Sequence, residues 1–115
     1  MRNFIQPGKV LTCTAPTGGV ESGKGYKIGQ LFVVATHGAA AGAPFEGMTT
    51  GVFQLPKLSA QAWTEGALVY WDADDAQCTT VASGNLLIGC AGAAAANPSP
   101  TGIVRLNGVA TANAA

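Results

Sequence analysis

The chain has 115 residues, six Lys or Arg against six Asp or Glu, and only 10% charged residues, less than half the usual share of about 25%. That length suits one domain with one core, and the cancelled charge removes the basic field that nucleic-acid binding draws on. A hydrophobic content of 48% excludes a disordered chain, yet 21 alanines beside 16 glycines bury little area each, so association or docking is expected to supplement a thin core.

No 3.6-residue periodicity persists, and Gly or Pro interrupts nearly every window long enough for a helix, so the chain reads as strands joined by turns. Residues 1–9, with Arg2, Lys9, Pro7 and Gly8, read as an N-terminal arm, and residues 10–108 as the β-rich domain. Val10 to Thr14 alternates between two faces and forms a first strand. Tyr26 to Thr36 is a β-branched and aromatic run, one bent strand or two short ones with Gly29 at the bend. Phe45 to Leu55 continues the pattern, Val52 and Gln54 on one face and Phe53 and Leu55 on the other, until Pro56 ends it. Ser59 to Glu65 offers an N-cap serine and helix formers before Gly66, which predicts one short helical turn. Ala67 to Asp72, Gln77 to Val81, Leu86 to Ala91 and Gly102 to Leu106 complete about seven short strands, the pattern of an all-β sandwich or small barrel. Residues 109–115 carry no charge and read as a C-terminal tail.

The start has no apolar stretch ahead of Pro7 and does not read as a signal peptide. The longest apolar run, Leu86 to Ala96, is half the roughly 20 residues needed to span a bilayer. Cys13, Cys78 and Cys90 match neither a redox pair nor a zinc site and read as small buried thiols of a reducing compartment.

The segment Gly18 to Gly25 fits G-x-x-x-x-G-K, but Gly25 stands where a phosphate loop needs Ser or Thr, and Tyr26 to Val33 reads as strand where that loop needs a helix. A glycine-rich hairpin loop explains it better. Asp72, Asp74 and Asp75 invite a calcium loop, but Gln77 and Ser83 stand where its Gly and Glu belong, so a polar turn is expected. His37 is the only histidine and has no nucleophile elbow to serve, and nothing in the sequence brings Glu46, Glu65 and the Asp cluster together as a catalytic pair. Neither an enzyme nor a resident cofactor is expected. Trp63 and Trp71 could stack on a sugar, though core or interface packing is the commoner use of such residues.

Four blocks carry a resemblance: Arg2-Asn3-Phe4-Ile5-Gln6-Pro7-Gly8, Gly51-Val52-Phe53-Gln54-Leu55-Pro56-Lys57, Trp63 through Asp72 with its Leu-Val-Tyr-Trp-Asp core, and Gly102-Ile103-Val104-Arg105-Leu106-Asn107-Gly108. In order, and from residue 2 to residue 108, they resemble the tailed-phage capsid decoration, or cement, proteins. The resemblance implies a non-enzymatic β-rich protein made in the host bacterial cytoplasm that binds the outer surface of an icosahedral capsid and clamps neighbouring major capsid protein subunits. It also implies self-association as a trimer or a dimer, while the balanced charge and the short apolar runs lead us to expect neither nucleic acid nor a membrane as partner. Arg2, Asn3, Phe4, Ile5 and Gln6 combine one charge, two apolar anchors and polar groups. They are expected either to bind the capsid as an arm that orders on contact or to form an edge strand of the domain. Trp63, Tyr70 and Trp71 are expected to pack in the core or against a neighbouring copy. A glycan-binding sandwich on the virion surface is the alternative reading.

Overall fold

A computed structural model describes residues 5–111 and is all-β, with nine strands: β1 (Val10–Thr14), β2 (Gly25–Ile28), β3 (Leu31–Ala35), β4 (Pro44–Met48), β5 (Thr50–Pro56), β6 (Leu68–Asp72), β7 (Gln77–Thr79), β8 (Leu86–Ala91) and β9 (Thr101–Asn107). The count exceeds seven because two of the expected runs are cut. Gly29, at a φ of 62°, turns the chain between β2 and β3. Thr49 breaks the Phe45 to Leu55 run so that its two halves enter different sheets.

The sheets are antiparallel, four strands in the order β1-β4-β3-β2 and five in the order β5-β9-β8-β6-β7. The five-stranded sheet curls until its edges meet: Lys57, just past β5, bridges Cys78 in β7, and the Leu58 N–H donates to the Cys78 carbonyl at 2.9 Å. Inside it lie Leu55, Val69, Trp71, Cys78, Leu86, Ile88, Val104 and Leu106, with Trp63 among them. Gly102 lets β9 pass flat against the Trp63 ring, where a Cβ would stand 2.4 Å from a ring carbon. A Trp buries roughly 200 Å², about 5 kcal/mol of apolar transfer, so the two tryptophans are large contributors to this core.

One core was expected and two clusters form, because β3 is buried on both faces. Phe32 and Val34 join the larger cluster, and the Phe32 ring lies 4.8 Å from that of Trp71. Val33 and Ala35 point the other way, to Phe45, Ala15 and Val20. The glycine-rich segment is therefore not the tight hairpin loop expected of it. It carries the chain from β1 to β2, at opposite edges of the four-stranded sheet, and lays Val20 over that sheet's second face through a bridge to Ala39.

The helical turn expected from Ser59 to Glu65 is absent: turns at Ser59-Ala60 and Glu65-Gly66 flank Trp63, which bridges Ala95 through two backbone hydrogen bonds. Burying Trp63 outweighs the weak helix propensity of a seven-residue segment.

Candidate functional site

The residues that suggested chemistry resolve into structure. Lys24 pairs with Glu21, which lowers the carboxyl pKa and raises that of the amine, and β2 starts at Gly25, so no helix N-terminus meets the loop. Asp72 accepts the N–H groups of Asp74 at 3.0 Å and Asp75 at 3.3 Å, which makes the acidic cluster a turn closed by its own first carboxylate. His37 sits in an exposed bend two residues past the end of β3, its Nε2 accepting the Glu46 N–H at 3.3 Å while Nδ1 faces the Gly38 carbonyl at 3.0 Å. Burial pushes the Cys78 thiol up to about 12, and burial together with the neighbouring Glu46 carboxylate raises Cys13, so neither is a ready nucleophile.

Surfaces remain. Arg2, Asn3 and Phe4 lie outside the described residues. Ile5 is 86% exposed, and Gln6 is exposed with its Nε2 donating to the Val10 carbonyl at 3.3 Å. Residues 5–9 form no strand. Thr49 ties them to the sheets: its N–H donates to the Lys9 carbonyl at 2.8 Å, and its hydroxyl donates to the Gly8 carbonyl at 2.7 Å. Thr49 is buried at the crossover between the sheets, so the arm leaves from the joint of the two.

The outer face of the five-stranded sheet is the second surface. Strand pairing aligns Val52 on β5 with Arg105 on β9, Arg105 with Cys90 on β8, and Cys90 with Leu68 on β6, one row across four strands. Val52 and Leu68 are exposed by 61% and 56%. A β-bulge shapes the middle of the row, since Val69 pairs with Gly89 and Tyr70 with Leu87, leaving Ile88 as an extra residue turned inward. At Gly89 β8 and β9 run so close that a Cβ would stand 1.9 Å from the Arg105 carbonyl oxygen. The result is an open groove of about 190 Å³ lined by Leu68, Leu87, Gly89, Cys90, Arg105 and Asn107. Among the described residues the salt bridge is Lys24 with Glu21, and Arg105 has none.

Trp63 and Trp71 are 2% and 4% exposed and share the larger core, and Trp71 also borders a cavity of about 340 Å³ with Lys24, Tyr26 and Pro56. Tyr70, half-buried, is on the opposite side of β6. Sequence reasoning gave no role to Lys57, which is 3% exposed. Its ammonium donates to the carbonyls of Leu58 at 2.9 Å, Ser59 at 3.4 Å and Gln61, and stands 5.8 Å from the centre of the Trp63 ring. No carboxylate nearby in sequence marks it, because its partners are backbone oxygens. Arg105, Leu68 and Leu87 were also passed over. Alternation places them on a face but does not reveal which face stays uncovered.

No curated protein and no solved structure matched the chain. The family model described as phage cement protein matches residues 5–106, a span that includes the Thr49 joint, both sheets and the row from Val52 to Leu68. The chain belongs to the phage cement protein family, structural proteins associated with the capsid.

Proposed function

We propose that this protein decorates the outer surface of an icosahedral phage capsid and stabilises it by bridging neighbouring major capsid protein subunits. One observation carries the reading: large apolar side chains stand exposed on both sheets. Ile5 and Val10 lead into the four-stranded sheet, and Val52 and Leu68 lie on the five-stranded one. A bridge needs two such contacts, and low charge keeps the desolvation cost of each small. Modest contacts repeated over a shell sum by multivalency, and association of copies into a trimer or a dimer multiplies them further. Residues 2–6 act as an arm that orders against the capsid, hinged at Thr49, while Trp63 and Trp71 keep the domain rigid. The work is mechanical and requires no catalytic group.

The test compares undecorated shells with and without the purified protein, by heat resistance and by cross-linking mass spectrometry. Added protein is expected to raise the temperature of shell disruption, and single copies are expected to cross-link to two capsid subunits. Deleting residues 2–6 is expected to lower occupancy with the domain still folded. Cross-links confined to one subunit, with no gain in heat resistance, would sink the bridging reading.

A further inference from the structure

We propose that the row Val52, Arg105, Cys90, Leu68 is a docking track for an extended segment of the capsid shell protein, with apolar, acidic and apolar side chains at alternate positions. The inference rests on the decoration reading and adds where the contact lies and what it recognises.

Length comes first. Four neighbouring strands at about 4.8 Å spacing place the ends of the row about 14 Å apart. An extended segment rises about 3.3 Å per residue and turns every second side chain to the same face, so residues one, three and five span about 13 Å. The outer two then lie over Val52 and Leu68, both more than half exposed. The middle one falls between Arg105 and Cys90, within reach of the guanidinium.

Charge decides the middle residue. Arg105 is the only charged residue lining the groove and has no carboxylate partner among the described residues. A partner carboxylate would make the charge-assisted, two-pronged hydrogen bond that a guanidinium accommodates best. Gly89, without a side chain, and the small Cys90 line the groove beside it, so the middle side chain has room to descend.

A second copy of this chain fits poorly. Its segments with that spacing are Pro44, Glu46, Met48 and Trp63, Glu65, Ala67. The first is strand β4, paired on both sides, and the second begins with a tryptophan buried in the core. The residues after Gly108 carry no acidic side chain. The occupant is therefore foreign, and the decorated shell supplies it.

Cys90 provides a reporter inside the track. The full-length protein, free or bound to undecorated shells, would be treated with iodoacetamide and its modification read cysteine by cysteine. Cys90 is expected to be protected at least tenfold by the shell. Arg105→Glu is expected to lower shell affinity at least tenfold with its thermal unfolding unchanged, and Arg105→Gln to flatten the salt dependence of binding. Shells that take up wild type and both variants equally, with Cys90 still reactive, would overturn the track and leave decoration standing. Shells that take up no wild-type protein would overturn both. Protection of Cys90 that rises with protein concentration in the absence of shells would assign the groove to self-association and overturn the proposal.

Discussion

The two sheets solve the problem of a small-residue composition in different ways. The five-stranded sheet gathers the large side chains, both tryptophans included, and closes over them, sealed where Lys57 and Leu58 meet Cys78. The four-stranded sheet fully buries on its second face only Ala15, Val20, Val33, Ala35 and Phe45, with Tyr26, Ile28 and Leu31 packed against them half-buried. Strand β3 serves both, with Phe32 and Val34 on one side and Val33 and Ala35 on the other. Stability is thus concentrated in the closed sheet, whose outer face is left free for contact.

The largest test of that asymmetry is Trp63→Ala. Removing a buried Trp costs about 3–5 kcal/mol, a large part of the 5–15 kcal/mol that typically holds a domain. The expected outcome is loss of cooperative unfolding or a fall in midpoint of more than 15 °C by calorimetry. Phe45→Ala, in the smaller cluster, is expected to release amide protection in β1 and β4 first, read by hydrogen exchange, while β8 and β9 stay protected. Equal loss of protection in both sheets would mean that the two clusters melt as one.

Lys57→Met tests the seal. The substitution keeps most of the apolar stem but strands the carbonyls of Leu58, Ser59 and Gln61, whose desolvation is then uncompensated. A loss of about 3 kcal/mol is expected in denaturant unfolding. Near-neutral stability would show that the loop rehydrates freely and that the ammonium does not hold the edges together.

Much of this architecture was legible in residue pattern, and the misses have common causes. Alternation, β-branched composition and turn punctuation together located the strand runs, and alternation put Val52 and Gln54 on a face opposite Phe53 and Leu55, as their pairing with Arg105 and Ile103 requires. It could not tell that Phe45 to Leu55 divides between sheets, because the division depends on Thr49 bonding Gly8 and Lys9, some 40 residues away in sequence. The helical turn was misread because local propensity at Ser59 to Glu65 is overruled by long-range burial of Trp63. The Val52 to Leu68 row was not visible as a site, since its four residues come from four strands and align only once the bulge at Ile88 fixes the register.

Alkaline pH probes the closed core through Cys78. Its thiol is raised from an ordinary 9.0 to about 12 by burial, so the folded state keeps a proton that the unfolded chain releases above pH 9. Stability from this group is full below pH 9 and declines between pH 9 and 12, the unfolded state binding fewer protons there. At about 1.4 kcal/mol per unit the loss reaches roughly 2 kcal/mol by pH 10.5. Cys78→Ala is expected to start less stable at pH 7 and to lose less on going to pH 10.5, measured by urea unfolding at both values. Parallel losses would mean that water reaches the thiol, and with it the seam where β7 meets the end of β5.

The smallest effect comes from the turn between β6 and β7, on the same seam. Ala76 is held at a φ of 52°, the left-handed region where a Cβ meets the following carbonyl at a cost of roughly 1–2 kcal/mol. Asp72 fixes the start of this turn through Asp74 and Asp75, and β7 is pinned to Leu58 from the far side, so Ala76 closes a short hairpin loop that is held at both ends. Gly at position 76 would relieve the strain but gain unfolded-state entropy, which offsets part of the benefit. Ala76→Gly is therefore expected to stabilise by about 0.5–1 kcal/mol, seen as a small rise in urea midpoint with unchanged slope. A glycine placed in a relaxed turn should do the opposite. Destabilisation by Ala76→Gly would therefore mean that the entropy gained by the unfolded chain outweighs the strain relieved at the end of this hairpin, and that the left-handed backbone at residue 76 costs little.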